Sequence, residues 1–194
     1  MKSGVTDDRK EWDRVRELFR GISDAYVSVG LHSDAEPYER GQGAAANVAQ
    51  IASFHEFGTA RIPARPFFRP TIDGNRAKYA DIIRKVTGKL LDGKMKLAQG
   101  LTLIGMQVQA DVRQAIVDLK DPPLAESTLK AKARKARGTF AAYARKAGLK
   151  GKEAAADAKR REDEYVASGA NPLIDTGHMR QSVTYKVTIK GKGE

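Results

Sequence analysis

Apolar residues near the start of the chain recur in steps of three and four. Trp12, Val15, Leu18 and Phe19 fall on one face of a helix over residues 7–20. Thr6 or Asp7 can cap it, and Gly21 ends it. The period then changes to two. Ala25, Val27, Val29 and Leu31 alternate with Tyr26, Ser28, Gly30 and His32, the pattern of a strand with one buried face. A second clear run with this period lies at the far end, where Val183, Tyr185, Val187 and Ile189 share a face. The simplest arrangement pairs the two runs into an antiparallel sheet that closes across the length of the chain.

Between these strands the helical period dominates. After a Gly/Pro/acid loop at 33–44, Val48, Ile51, Ala52 and His55 form the stripe of a helix over about 45–57. Gly58 is suited to be its C-cap, because glycine takes a positive φ without steric cost. Pro63 and Pro66 hold the next stretch extended, and Pro70 suits the first turn of a following helix. Residues 71–119 read as helical in two pieces, the first over 71–86, with Gly88 and Gly93 weakening the middle. The second begins at Leu90 and carries apolar residues at 97, 101, 104, 108, 112, 115, 116 and 119. Thirty such residues would span about 45 Å, and Asp121-Pro-Pro123 terminates them. Residues 169–174 read as a loop. Asp175-Thr-Gly177 opens a short helix, capped by Asp175 or Thr176, and residues 191–194 read as a frayed tail. The fold class expected is α+β: a small antiparallel sheet packed against a long helix, with a basic helical insertion.

Charge sharpens the view of that insertion. The 194-residue chain has a net charge of +11, which favours polyanionic partners. From Leu124 to Arg161, twelve Lys/Arg face three acids, leaving +9 in one fifth of the chain. Ala, Lys and Arg dominate over 127–168 and large apolar residues are scarce, so the stretch reads as helical, exposed and weakly packed. The domain reading is a core of 1–130 plus 170–190 and an insertion at 131–169. The basic residues Lys130, Lys132, Arg134, Lys135, Arg137, Arg145 and Lys146 admit three readings: a solvated face, a surface for nucleic acid, or a surface for acidic neighbouring subunits. Few aromatics interleave with them, so any nucleic-acid contact should ignore base sequence.

The chain has no cysteine, which excludes a disulfide framework and fits a reducing compartment. No apolar run approaches the ~20 residues that cross a bilayer, and residues 1–8 lack the apolar segment of a signal peptide. A protein made in a cytoplasm, with no membrane partner, is expected. No catalytic constellation is present in the sequence. His32, His55 and His178 are not at metal-ligand spacing, and His55-Glu56 lacks the second histidine of a zinc helix. Asp175-Thr-Gly177 matches the aspartic protease triplet, but here it precedes a helix. Gly41-Gln-Gly43 lacks the rest of a dinucleotide fingerprint. The expectation is a non-enzyme without metal or cofactor.

Two blocks carry a family resemblance. The first is His55-Glu-Phe-Gly-Thr59, continued by Ile62-Pro-Ala-Arg-Pro-Phe67 and Arg69-Pro70. The second is Pro123-Leu124 with Ser127-Thr-Leu-Lys130, followed by Pro172-Leu-Ile-Asp-Thr-Gly-His-Met-Arg-Gln-Ser182. Together they resemble the neck and tail-completion proteins of tailed bacteriophages, minor virion components of the head–tail junction. The resemblance covers residues 20–130 and 170–190 and leaves 131–168 as an insertion. It implies a structural virion protein, made in the host cytoplasm, that forms a homo-oligomeric ring, commonly a hexamer. The ring would join the connector or stopper to the tail terminator or tail tube, with non-specific contact to packaged DNA. The alternative is a basic nucleic-acid-binding accessory protein without catalytic activity. Under the ring reading, Arg61, Ile62, Pro63, Arg65, Pro66, Phe67, Phe68 and Arg69 form a stiff docking arm. Its arginines would pair with carboxylates on a neighbour and its phenylalanines would anchor the interface; Phe67 could equally plug its own core. Gly58, Asp175, Thr176 and Gly177 are structural caps.

Overall fold

Ten elements lie along the described residues. A computed structural model describes residues 9–32, 47–174 and 177–190. The elements are α1 (Arg9–Ser23), β1 (Ala25–Leu31), α2 (Val48–Phe57), α3 (Arg69–Gly74), α4 (Arg76–Leu91), α5 (Leu97–Asp118), α6 (Glu126–Lys146), α7 (Gly151–Ala167), α8 (His178–Ser182) and β2 (Val183–Ile189). The fold is α+β, mostly helical, with a small two-stranded antiparallel sheet packed against helices. The chain divides into two compact units. Among the described residues, one comprises 9–32, 68–113 and 183–190, and the other 47–67, 114–174 and 177–182.

The first unit holds the sheet. β1 and β2 pair with Val27 opposite Val187, Val29 opposite Tyr185 and Leu31 opposite Val183. The apolar alternations of the two strands therefore share one face, as cross-strand packing requires. That face lies against α5 at Gly105, where an added Cβ would stand 2.8 Å from side-chain atoms of Val27 and Tyr185. One turn earlier, a Cβ on Gly100 would stand 2.6 Å from Val86 of α4. The two glycines let the sheet and α4 approach the α5 backbone closely. Gln109 and Arg113 of α5 both donate to the Val183 carbonyl, at 2.7 and 2.9 Å, and pin the start of β2. Arg14 of α1 donates to the Leu91 carbonyl at the end of α4, 2.6 Å away.

The helical stretch after Pro70 is divided differently from its sequence reading. Three helices replace two, and α5 has 22 residues rather than thirty. Gly88 stays inside α4, whereas Gly93 takes φ +68° and forms the break. A single glycine in a helix costs only about 1 kcal/mol, so Gly88 is tolerated where the flanking turns pack.

The second unit is built on helices. Asn47 caps α2 by accepting from the Ala49 amide at 2.8 Å; the part of the expected helix before it lies outside the described residues. α6 and α7 form a helical hairpin, packed along each other rather than loosely exposed. The buried residues of the two helices are mostly small: Ala133 and Ala144 are fully buried, Ala158 nearly so, and Leu129 is the one large side chain among them. The Phe140 and Tyr165 rings meet at 5.9 Å, and Arg137 reaches Glu162 at 3.0 Å. Buried alanines permit close approach with little side-chain entropy to lose. Among the described residues this hairpin belongs to the same compact unit as 47–67 and 114–125.

Candidate functional site

The segment from Gly58 to Phe67 is folded back on the end of α2. A helix leaves its last carbonyls without intrahelical donors, and here the following chain supplies them. The Gly58 amide donates to Phe54 at 3.0 Å and the Arg65 amide to His55 at 2.6 Å. Gly58 has φ +75° and ψ 175°, and an added Cβ would lie 2.9 Å from the Ala64 backbone nitrogen. Both facts require glycine. Beyond it the Thr59 amide donates to the Ile62 carbonyl at 2.8 Å. The Thr59 hydroxyl accepts from the Arg61 and Ile62 amides at 3.3 and 3.0 Å, closing a tight turn.

Arg65 and Phe67 point inward. Arg65 is 4% exposed, and its guanidinium donates to the carbonyls of Pro122 and Pro123 at 2.7 and 2.9 Å. Phe67 is 2% exposed, and its amide donates to the buried Glu56 carboxylate at 2.8 Å. Neither is available to a neighbour, so the docking role expected of them is replaced by an internal one. Arginine's fixed fork matches two adjacent carbonyls, and prolines, having no amide of their own, leave such carbonyls to be claimed. Arg61, Ile62, Pro63, Pro66 and Arg69 remain on the surface, with Phe68 half-buried. The exposed part of the arm is its tip and its far end.

The other sequence block meets the same unit. Lys132 donates to the Ile174 carbonyl at 2.9 Å and lies 3.5 Å from that of Asn171. The Asn171 amide donates to the Ile116 and Val117 carbonyls at the end of α5, at 3.0 and 2.7 Å. Its side-chain oxygen accepts from the Leu173 and Ile174 amides, at 2.8 and 3.1 Å. Leu173 and Met179 are buried, and α8 packs against α2. Gly177 has φ +80°; Asp175 and Thr176 lie outside the described residues.

Burial depresses the His55 imidazole from its ordinary 6.5, and the positive charges of Arg65 and Lys132 depress it further. Its Nδ1 is buried without a hydrogen-bond partner among the described residues. Burial likewise pushes the Arg65 guanidinium down. Glu56, Asn171 and the Pro122–Pro123 carbonyls were not singled out in the sequence. Only Glu56 left a local signal, an acid placed at a helix end immediately before a glycine stop.

Of the basic insertion residues, Lys130 pairs with Glu126 at 2.6 Å, Arg137 with Glu162 at 3.0 Å, Lys132 is held by backbone carbonyls, and Arg145 donates to the Ala141 carbonyl at 3.2 Å. Lys130, Arg134, Lys135, Arg137, Arg145 and Lys146 are exposed on α6. Among the described residues there is no group of three or more His, Cys, Asp or Glu that could hold a metal ion, and no helix long and apolar enough to cross a membrane. No family model, curated protein or solved structure matches the chain.

Proposed function

We propose that the chain is a structural virion protein that assembles as a ring, a hexamer, at the head–tail junction of a tailed phage. It would join the connector to the tail. The observation that supports this reading is the convergence of the two sequence blocks that carry the resemblance. They lie more than fifty residues apart, yet Arg65 of the first bonds to the carbonyls of Pro122 and Pro123, and α2 packs on α8 of the second. The interface role is further supported by a turn stiffened by Thr59 and the prolines, bearing Arg61, Ile62 and Pro63 outward. A stiff, exposed element loses little entropy on docking, and arginine beside an apolar residue suits an interface with an acidic rim.

The Arg61→Glu/Ile62→Ser variant tests the proposal, because both side chains lie outside the bonds that close the turn. The variant should melt like the parent and leave heads and tails unjoined in the infected cell. Joined, infectious particles at the parental yield would overturn the reading.

A further inference from the structure

We propose that α1 is a self-association surface: it packs in parallel and in register against α1 of a second copy of this chain, through Trp12, Val15, Phe19 and Ile22. The inference rests on α1 and not on the ring reading.

An amphipathic helix ordinarily turns its apolar stripe toward its own core. No residue of α1 is buried. Trp12 is 61% exposed and Phe19 62%, with Ile22 exposed and Val15 half-buried beside them. The helix is held to its own unit from another side. Arg14 donates to the Leu91 carbonyl at 2.6 Å, and a Cβ on Gly21 would stand 3.5 Å from the Leu97 side chain. Arg14 and Gly21 lie on one line along the helix, about 130° round its axis from the middle of the stripe. The aromatic stripe therefore points away from the unit that anchors it.

The stripe has the spacing of a coiled-coil seam. Trp12, Val15, Phe19 and Ile22 follow in steps of three, four and three, the a and d positions of two heptads. The charges beside the seam select the partner and its direction. Glu11 takes the g position and Arg16 the e position. In parallel helices each g residue faces the e residue five places on in the other helix. Glu11 of each copy then meets Arg16 of the other, on both sides of the seam. An antiparallel pair would instead set e against e, placing Arg16 against Arg16 of the second copy. Glu11 also accepts from Arg14 of its own helix at 2.6 Å, and one carboxylate can accept from both. The Arg16 guanidinium already lies 5.7 Å from the centre of the Trp12 ring, at the edge of the seam.

The size of the face sets the strength of the contact. An aromatic side chain buries about 150–250 Å², so the exposed parts of Trp12 and Phe19 amount to roughly 180–300 Å² per copy. The pair falls below the ~1,200 Å² of a stable complex. It is weak in dilute solution and forms readily where copies already stand side by side. A lipid surface fits less well, because Glu11, Asp13 and Glu17 share the polar face with the cations of α1.

The chain has no cysteine, so one introduced thiol reports its own surroundings. In Ile22→Cys a parallel pair brings the two thiols within disulfide reach, whereas an antiparallel pair holds them about 15 Å apart along the axis. Mild oxidation of the full chain should give a covalent dimer. Glu17→Cys, exposed on the far side of α1, should stay monomeric. Trp12 is the only tryptophan. Its emission should move to shorter wavelength as the full chain is concentrated from about 1 to 500 μM, in step with dimer seen by sedimentation equilibrium. Arg16→Glu should raise the dissociation constant about tenfold, and Glu11→Arg/Arg16→Glu should restore it. Equal cross-linking of the two thiols, a monomer with unshifted emission at the highest concentration, or no rescue by the double exchange would each overturn the proposal. So would a Trp12 shift produced by phosphatidylglycerol vesicles while the chain stays monomeric. None of these readouts involves particle joining, so the ring reading stands or falls separately.

Discussion

Replacing Arg65 by alanine separates an internal staple from a docking arm. The substitution removes two charge-assisted hydrogen bonds, to Pro122 at 2.7 Å and Pro123 at 2.9 Å. Each is worth about 1.5–3 kcal/mol. The buried guanidinium also carries a desolvation cost that the variant escapes, so the lower end of the range applies and the net loss is about 3 kcal/mol. In a chain of this size that is roughly 6–12 °C in melting temperature. Arg65→Lys retains the charge and one donor, and should lose about half as much. The assay is urea denaturation followed by circular dichroism at 222 nm, with the thermal midpoint as a second readout. An exposed arm residue would change stability by no more than about 0.5 kcal/mol. A loss below about 1 kcal/mol in Arg65→Ala would refute the staple.

Other substitutions report on neighbouring features. Gly58→Ala forces a side chain into φ +75° and against the Ala64 nitrogen. It should cost about 1–3 kcal/mol, read as a lower urea midpoint; a parental midpoint would contradict the turn geometry. Gly105→Leu drives a side chain into Val27 and Tyr185 and should destabilise by about 1–3 kcal/mol, with loss of amide-exchange protection in β1 and β2. Unchanged protection would show that the sheet does not lean on α5. Acid should weaken the fold through His55. Its imidazole is depressed below 6.5 in the native state, so the unfolded chain binds the proton more readily. The His55 contribution is complete above pH 6.5 and declines as pH falls below it, until the native imidazole also titrates. The urea midpoint should drop between pH 7.5 and 5.5, and drop less in His55→Gln; equal drops would exclude His55 as the source.

The strands were legible because alternation is local and the register follows from it. Once Val27 and Val187 must share a buried face, a one-residue slip would expose every apolar side chain. The cap glycine was legible too, since Gly58 stands where an apolar stripe stops. The direction of Arg65 and Phe67 was not. An arginine between prolines looks the same whether it faces solvent or a buried carbonyl, and the carbonyls that decide it lie 57 and 58 residues away. The division of the chain was hidden for a related reason. Composition changes near residue 131, but α6 is held to the rest of its unit by Lys132 reaching the turn at Asn171–Ile174. The helical, largely exposed character of α6 and α7 was legible from composition, and their pairing as a hairpin was not, because alanine contributes little to an apolar count.

An electron cryomicroscopy map of the assembled particle tests the proposed ring role at the head–tail junction. Six copies around the axis between connector and tail are expected, with the Arg61–Pro63 turn of each against a neighbouring subunit. Absence of the chain from joined particles, or its presence away from that junction, would contradict it.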